Sequence, residues 1–316
     1  MTTLNQEISS PVDALGRGPA TQGPAASARS VRYVIITPVR DEEEYITGLI
    51  QSMIAQTVRP AEWVVVDDGS KDRTGEILER AASEHGWIRV VHRSDRGFRK
   101  SGGGVVQAFY DGFSKLEATD WEYVVKLDGD LTFAPDYFEK CFGEFQREPK
   151  LGIGGGEIYH SVTGGMQLET NPRFHVRGAT KIYRRECWNA IGGLWSAAGW
   201  DTIDEVKANM LGWTTHAFPE LRLHHHRLTG AAEGLVRDRV KHGMVCYVSG
   251  YHPLFVLASC VRRVAQRPYV IGSAAILYGF LKGYWTRAPR VDDTSYRAYI
   301  RSQQIRRLFG LETIWR

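Results

Sequence analysis

Apolar positions between residues 31 and 131 form short continuous runs, and the segments between them have helical periodicity. Segments such as residues 42–56 repeat apolar side chains every three or four positions, which predicts amphipathic helices. Continuous apolar strands that alternate with helices are typical of a parallel sheet covered on both faces. The pattern therefore predicts an α/β fold. The runs of strand length are VRYVIITPV (31–39), EWVVVD (62–67), IRVVHR (88–93) and YVVKLDGDL (123–131).

The second half of the chain continues this alternation and then changes character. From residue 242 onward the sequence is apolar and aromatic with interspersed Arg and Lys. Its longest uncharged piece, residues 268–281, is too short to span a bilayer comfortably. Either a helical segment at a membrane surface or a helical subdomain packed on the sheet fits this pattern. Before that point the sequence predicts a strand at 151–160, a strand running into a helix at 178–187, a helix at 200–211 and extended chain at 214–227.

The first 30 residues are rich in Pro, Gly, Ala, Ser and Thr and lack periodicity, so we expect them to be disordered. They contain no apolar h-region, so we expect no signal peptide. Four scattered cysteines without a C-x-x-C pair indicate reduced thiols and a cytoplasmic protein. We divide the chain into a disordered segment (1–30), an α/β domain (31–227) and a basic, apolar helical region (228–316).

Charge is distributed unevenly along the chain. The net charge is only +4, which by itself does not imply nucleic-acid binding. From Arg227 to the end, however, 15 Lys and Arg face 5 Asp and Glu, which gives +10 there and −6 elsewhere. A basic C-terminal region predicts an anionic partner, and at this point membrane lipid and nucleic acid both remain open.

Carboxylates follow three of the predicted strands. Asp41 follows the first, Asp67 ends the second, and Asp128 and Asp130 follow the fourth with one glycine between them. Ligands of parallel sheets bind beyond the carboxyl ends of the strands, so one crevice is expected to collect these side chains. Two carboxylates so close together repel unless a cation lies between them. A divalent cation with oxygen ligands meets this need and also neutralises a diphosphate, whereas a solvated turn is the alternative.

These motifs together resemble family 2 glycosyltransferases of the GT-A fold. The resemblance rests on VIITPVRDEEEYI, VVVDDGSKDRT, the D-G-D motif and a downstream acidic helix, and it covers residues 31–226. It implies a mostly parallel sheet flanked by helices. It also implies an inverting, metal-dependent enzyme that moves a sugar from a UDP- or GDP-sugar to an acceptor hydroxyl, with Mg²⁺ or Mn²⁺ as cofactor.

Combined with the basic C-terminal region, the resemblance implies a lipid-linked or saccharide acceptor of the kind used in cell-surface polysaccharide assembly. The expected location is peripheral, at the inner face of the cell membrane, with no nucleic-acid partner.

The resemblance also assigns site residues. Asp128 and Asp130 would bind the metal ion. Basic side chains and free N–H groups in the glycine-rich loop RSDRGFRKSGGG suit phosphate, although an ordinary surface loop is the alternative. The residues implied for binding of the nucleotide-sugar are Pro38, Arg40, Asp41, Glu42, Asp67, Asp68, Arg96, Lys100 and Asp128.

A general base must accept the proton of the acceptor hydroxyl. The family usually supplies it in a Glu-Asp pair that opens a helix, and here Trp200 takes the place of the Glu. Asp201 matches the Asp and is the first candidate, with a role as helix N-cap as its alternative. Asp204, one helical turn further on, is the second candidate.

The sequence LHHHR at 223–227 offers further metal ligands, because some GT-A enzymes use a late histidine. Alternation along a strand puts His224 and His226 on one face and His225 on the other, so all three cannot serve. We take His225 and His226 as candidate ligands.

Two alternatives belong to other classes of function. A sugar-phosphate nucleotidyltransferase would usually have a glycine-rich loop after the first strand, but TPVRDEEEY contains no glycine. A non-catalytic membrane scaffold on a degenerate transferase fold is disfavoured because Asp128, Asp130 and Asp201 are intact.

Overall fold

Nine strands form a single sheet within the described residues. The computed structural model describes residues 31–95, 103–163, 165–196, 198–227, 234–265 and 268–315. The predictions for residues 1–30 and for Arg96 and Lys100 lie outside these ranges. The strands are β1 (Tyr33–Val39), β2 (Glu62–Asp67), β3 (Ile88–His92), β4 (Tyr123–Leu127), β5 (Leu131–Phe133), β6 (Leu151–Val162), β7 (Gly165–Leu168), β8 (Thr180–Arg184) and β9 (Thr214–His225).

Helices in the same described ranges connect and cover the strands. Six of them precede β9 and four follow it. They are α1 (Ile46–Ile54), α2 (Thr74–Glu84), α3 (Gly103–Phe113), α4 (Tyr137–Arg147), α5 (Arg185–Ile191), α6 (Trp200–Met210), α7 (Leu235–Val248), α8 (Pro253–Arg263), α9 (Tyr269–Trp285) and α10 (Thr294–Leu308).

Strands β1 to β4 are parallel to one another, as predicted. Strand β1 pairs with β2 and β4, and β2 pairs with β3. Tyr33 and Ile35 of β1 belong to a core cluster shared with α1, α2 and α4. Val34 and Ile36 belong to a second cluster on the opposite face, shared with α3. Burial of both faces explains why these strands are continuously apolar.

The other half of the sheet is mixed. Strand β8 lies between β4 and β6 and is antiparallel to both, whereas β9 is parallel to β6 and antiparallel to β5. The prediction of an α/β sheet flanked by helices is confirmed, with the parallel part confined largely to its first strands. Apolar runs reveal strands but not their direction, which depends on where each connection re-enters the sheet.

The first helix starts later than its periodicity predicts. Residues 42–45 form turns, and α1 begins at Ile46. The cause lies just upstream, where Asp41 adopts a left-handed conformation with φ of 53°. The glutamates expected in the first helical turn therefore lie before the helix, next to the end of β1.

Helices α7 to α10 confirm the predicted C-terminal helical region. Helix α7 packs along α9 with close backbone approach, since a Cβ atom on Gly243 or Gly279 would overlap the backbone of the facing helix. Helix α10 packs on α6, where Tyr296 and Ile300 meet Ile203. The C-terminal helices therefore rest on a helix that carries the candidate base.

The described residues from 31 onward form one compact unit. The predicted boundary at residue 227 adjoins residues outside the described ranges, and we retain it as a proposal for where the helical region begins. No helix within the described residues has both the length and the hydropathy that crossing a bilayer requires.

Candidate active site

Three side chains that can ligate a metal ion converge where β4, β5 and β9 meet. Asp128 follows β4, Asp130 precedes β5, and β-pairing sets Leu131 opposite His225 at the end of β9. The Nε2 atom of His225 lies 3.1 Å from Asp130 Oδ1. One ligand atom from each of Asp128, Asp130 and His225 lies within 4.8 Å of the others. Two carboxylates and an imidazole suit a divalent cation such as Mn²⁺.

Asp130 and His225 shift each other's pKa values. Burial alone would raise the pKa of Asp130, but the hydrogen bond and charge of His225 hold it below its usual value. Burial would lower the pKa of His225, whereas its bond to Asp130 raises it above the ordinary value. The Nδ1 atom of His225 is buried without a hydrogen-bond partner among the described residues. Such an orphaned atom is unfavourable in the protein alone and fits a site that binds a further group.

The neighbouring histidines face away from the carboxylates. The Nε2 atom of His226 lies 3.0 Å from Thr132 Oγ1, and its ring stacks on Tyr45 at 5.7 Å. His224 contacts the His226 ring with a centroid distance of 4.0 Å. The alternation predicted for this segment is therefore observed. Of the two candidate histidine ligands, the structure brings His225 to the carboxylates and leaves His226 on the other face.

Gly129 fixes the turn between the two aspartates against the end of β1. A Cβ atom at this position would lie 2.7 Å from Val39 Cγ1. A side chain would therefore push the turn away from the strand. The close approach places the carboxylates of Asp128 and Asp130 beside the residues that follow β1.

Arg40 organises the loops at the ends of β1 and β2. Its guanidinium is buried and donates hydrogen bonds to the Asp68 carbonyl oxygen at 3.0 Å and to Asp95 Oδ1 at 2.7 Å. The hydrogen bond to Asp95 raises the pKa of Arg40, which is therefore firmly charged. Pro38 lies two residues earlier in β1, opposite Val66 of β2.

Asp41 ties the same two loops together through backbone hydrogen bonds. Its N–H donates to Ser70 Oγ at 3.0 Å, and its Oδ1 accepts a hydrogen bond from the Lys71 N–H at 2.8 Å. The left-handed backbone at Asp41 is thus held by contacts on both sides.

Asp67 and Asp68 already have partners within the protein. Asp67 Oδ1 accepts from the Ser70 N–H at 2.9 Å, and its Oδ2 lies 3.1 Å from His92 Nδ1. Asp68 Oδ1 accepts from the Arg93 guanidinium at 2.6 Å. These hydrogen bonds orient both carboxylates at the end of β2.

Glu42 connects the end of β1 with the end of β9. The buried carboxylate accepts two hydrogen bonds from Arg227, at 3.1 and 2.6 Å. The Arg227 guanidinium also lies over the Tyr45 ring, 5.3 Å from its centroid. This bidentate pair holds the two sides of the site at a fixed separation.

Helix α6 presents Asp201 to a cavity of about 430 Å³. Gly199, with φ of 84°, is the N-cap, so Asp201 does not have the capping role considered as its alternative. Burial opposes ionisation of Asp201, but the positive charges of His175 and Lys181 outweigh it and hold its pKa below the usual value. Asp201 is therefore an ionised, half-buried carboxylate in the first turn of a helix.

Asp204 faces the sheet instead of the cavity. Its side chain is buried, accepts hydrogen bonds from Lys181 Nζ at 2.9 and 3.0 Å, and also accepts one from the Tyr183 hydroxyl. Lys181 is shared with Glu205, 2.8 Å away, and Glu205 lies 2.9 Å from His175 Nδ1. Burial raises the pKa of Asp204 to about 6. These contacts enclose Asp204 in a network of buried charges.

Sequence reasoning missed three basic residues of this region. Buried Lys126 contacts Asp128, and Lys181 lies under α6. Arg177 is one of the charges that depress the pKa of Asp201. A lysine inside an apolar strand is the signal that identifies the first two, since buried lysines need carboxylate partners. Arg177 lies in a loop with no such signal.

Comparisons with known sequences agree with this geometry. Residues 34–198 match the model of the family described as "Glycosyl transferase family 2". The glycosyltransferase EpsJ of Bacillus subtilis is 37% identical over 125 residues, which cover 40% of this chain and 33% of EpsJ. The glycosyltransferase EpsH of the same bacterium is 28% identical over 218 residues, 61% of this chain and 60% of EpsH.

A third relative is the undecaprenyl-phosphate 4-deoxy-4-formamido-L-arabinose transferase of Serratia proteamaculans. It is 29% identical over 161 residues, which cover 50% of this chain and 44% of that protein. The alignments with all three relatives span less than two thirds of the relatives' own length.

Solved structures share the fold at low sequence identity. The mannosyltransferase PcManGT of Pyrobaculum calidifontis superposes with a TM-score of 0.52 at 17% identity, over 89% of this chain and 88% of that one. GalNAc-T7 gives a TM-score of 0.56 at 14% identity, over 91% and 56%. At this identity the likeness shows the fold alone, which is the predicted GT-A fold.

The family match covers more than half of the 316 residues and includes the strands that carry the acidic motifs. The predicted family and the predicted enzyme class are therefore confirmed. The chain belongs to glycosyl transferase family 2.

Proposed function

We propose that the enzyme transfers a sugar from a nucleotide-diphospho-sugar to an acceptor hydroxyl, with inversion at the anomeric carbon and with bound Mg²⁺ or Mn²⁺. The observation that carries this proposal is the convergence of Asp128, Asp130 and His225 at the carboxyl end of the sheet. Ligands of open α/β sheets bind at this end.

The proposed metal ligands are Asp128, Asp130 and His225. A bound divalent cation stabilises the negative charge that develops on the leaving diphosphate. Asp130 Oδ1 and His225 Nε2 lie 3.1 Å apart, so both side chains reach the same space. The structure of PcManGT contains GDP-Man and Mn²⁺, and that of GalNAc-T7 contains UDP and Mn²⁺. These ligands support Mn²⁺, UDP and GDP as the first compounds to test.

The proposed nucleoside pocket lies at the ends of β1 and β2. Carboxylates accept hydrogen bonds from ribose hydroxyls and from base N–H groups. Arg40 is held by Asp95 and fixes the loops that carry these carboxylates. The pocket would comprise Pro38, Arg40, Asp41, Glu42, Asp67 and Asp68, with Asp128 at its border and with Arg96 and Lys100 as further proposed ligands.

Asp201 is the proposed general base. Its carboxylate would accept the proton of the acceptor hydroxyl while that oxygen bonds to the anomeric carbon and the bond to the diphosphate breaks. Two features favour Asp201 over Asp204. Asp201 lines a cavity and its pKa is depressed, so it is ionised and accessible. Asp204 is buried and bound by Lys181 and Tyr183.

A donor screen tests the proposal directly. Thermal unfolding of the full chain would be followed with UDP, GDP and their sugar conjugates, with Mn²⁺ or with EDTA. Binding to the native state raises the melting temperature, so we expect one nucleotide class to stabilise the protein only when the metal is present. Asp130→Asn should lose this stabilisation, whereas Asp120→Asn, an exposed carboxylate before β4, should keep it. Equal stabilisation with EDTA would contradict the metal site.

The exposed faces of α8 and α9 support the proposed membrane-surface location and a lipid-linked or saccharide acceptor. Val261 and Trp285 are 66% and 85% exposed, and Arg262 and Lys282 lie close to them in sequence. Exposed apolar side chains beside basic ones are suited to the interface of an anionic membrane. Sedimentation with vesicles of phosphatidylglycerol and phosphatidylcholine should recover the protein, and Trp285→Ser should reduce recovery. No sedimentation of the unmodified protein would contradict this location.

A further inference from the structure

The cavity next to Asp201 has a composition that the donor site does not explain. It lies between the first turn of α6, the loop at residues 170–177 and the helices α7, α8 and α10. Its volume of about 430 Å³ is within the range of small-molecule sites. Because the proposed base lies in its wall, the cavity is placed where an acceptor must bind.

The charge of this cavity is strongly positive. Arg177, Arg262, Arg263 and Arg307 line it, and Asp201 is the single carboxylate among the described residues of the lining. Arg177 forms an ion pair with Glu169 at 3.0 Å, outside the lining. Within the described part of the chain, the other three arginines form no ion pair.

The contacts of these three arginines leave their charge uncompensated. Arg263 donates a hydrogen bond to His242 Nε2 at 3.2 Å, and Arg307 donates to the carbonyl oxygen of Trp315. Burial, together with the nearby charge of Arg262, lowers the pKa of Arg307, as expected where cations crowd without an anion. Guanidinium groups in such a cluster bind phosphate through paired, charge-assisted hydrogen bonds.

The remaining wall of the cavity is aromatic and apolar. Phe255 and Trp315 lie 5.9 Å apart, and Phe174 meets Trp315 edge to face at 5.5 Å. Helix α8 supplies both Phe255 and Arg262 to the cavity, and its other side carries an exposed apolar stripe. The stripe consists of Leu254, Leu257, Val261 and Val264, which are 40–66% exposed. The aromatic wall would contact the apolar part of a ligand whose phosphate binds the arginines.

We propose that this cavity is the acceptor site and that Arg262, Arg263 and Arg307 bind a phosphate or diphosphate group of the acceptor. This inference rests on the proposed function, because it takes Asp201 as the base. The phosphate would lie towards the C-terminal helices, since it would repel the Asp201 carboxylate. The reacting hydroxyl of the same molecule would then lie at Asp201.

Calorimetry on the full chain, without metal or nucleotide, tests the proposal. The probes are dodecyl phosphate, dodecyl maltoside, glucose 1-phosphate and inorganic phosphate. We expect dodecyl phosphate to bind and the neutral maltoside to bind much more weakly. If glucose 1-phosphate binds as tightly as dodecyl phosphate, the phosphate belongs to a soluble acceptor. If it binds more weakly, the acceptor is lipid-linked.

Arginine variants locate the binding. Arg262→Gln should weaken dodecyl phosphate binding about tenfold, because one charge-assisted interaction is lost. Arg262 is exposed on α8, so this change should leave the fold intact. Arg307→Gln should have a similar effect. Arg237→Gln, an exposed arginine of α7 outside the cavity lining, is the matched control and should bind as the unmodified protein does.

Unchanged affinity in both Arg262→Gln and Arg307→Gln, or equal binding of the maltoside, would overturn the inference. Metal-dependent donor binding is measured separately. Intact donor binding with no phosphate binding would reject this acceptor site alone, whereas loss of donor binding would reject the proposed function.

Discussion

Two groups of charged side chains adjoin helix α6, and they differ in whether their charges are compensated. Beneath the helix, Lys181 is enclosed by Asp204 and Glu205, and all three are buried. In the second group, Asp201 faces a cavity lined by Arg262, Arg263 and Arg307, which form no ion pair within the described residues. Both groups contain carboxylates and cations, but only the first is closed within the protein.

The comparison separates structural charges from functional ones. A buried carboxylate whose cation is already in place has no further ligand to attract, so its role is to hold helix α6 on strand β8. A carboxylate or arginine with an incomplete set of partners is suited to bind something from outside. By this criterion we propose that Asp201 takes part in the reaction and that Asp204 belongs to the scaffold.

Asp201→Asn tests the group that faces the cavity and should have the largest effect. We expect turnover of the donor to fall by about 10²- to 10⁴-fold, because the amide cannot accept the acceptor proton. The metal-dependent binding of the donor should change little. Steady-state kinetics with the donor identified by the screen measures the change. If Asp201→Asn retains turnover and a folded Asp204→Asn loses it, the two roles are reversed.

Lys181→Met tests the buried group formed by Lys181, Asp204 and Glu205. Removal of one partner leaves two buried carboxylates facing each other, so the free energy of unfolding should fall by about 3–5 kcal/mol. Urea denaturation followed by circular dichroism measures this quantity. Lys115→Met, at an exposed position, is the control and should change stability by no more than about 0.5 kcal/mol. If Lys181→Met lowers the free energy of unfolding by no more than the control does, the buried network contributes little to stability.

Gly129→Ala tests whether the turn between Asp128 and Asp130 requires a glycine. The added Cβ would meet Val39 Cγ1 at 2.7 Å, so the free energy of unfolding should fall by about 1–3 kcal/mol. The same change at Gly143, in α4, meets nothing within 4 Å and replaces a poor helix former. Gly143→Ala should therefore raise stability by about 0.5–1 kcal/mol. Equal effects at both positions would show that the turn tolerates a side chain.

Much of the fold could be predicted from the sequence because its signals are local. Continuous apolar runs identified β1 to β4, and the spacing of Asp128 and Asp130 after β4 indicated a cation site. The direction of β8 could not be predicted, since a buried strand has the same composition whichever way it runs. The late start of α1 depends on the backbone of Asp41, which sequence periodicity does not reveal.

The candidate site was predictable only where its residues lie at strand or helix ends. Alternation separated His225 from His226, but which face meets the carboxylates depends on the pairing of β5 with β9. Asp201 and Asp204 are equally acidic in the sequence, and their difference comes from the buried Lys181. The cavity next to Asp201 is lined by residues that lie far apart in the sequence, from Arg177 to Arg307, so only the tertiary structure reveals it.

The most direct test of the central claim compares two adjacent histidines. Titration of the full chain with Mn²⁺ in the presence of the donor nucleotide, followed by calorimetry, gives the metal affinity of each variant. We predict that His225→Ala weakens metal-dependent binding by at least about tenfold, as expected for loss of a ligand, and that His226→Ala has no such effect. Equal affinities for His225→Ala and the unmodified protein would contradict the metal site formed by Asp128, Asp130 and His225.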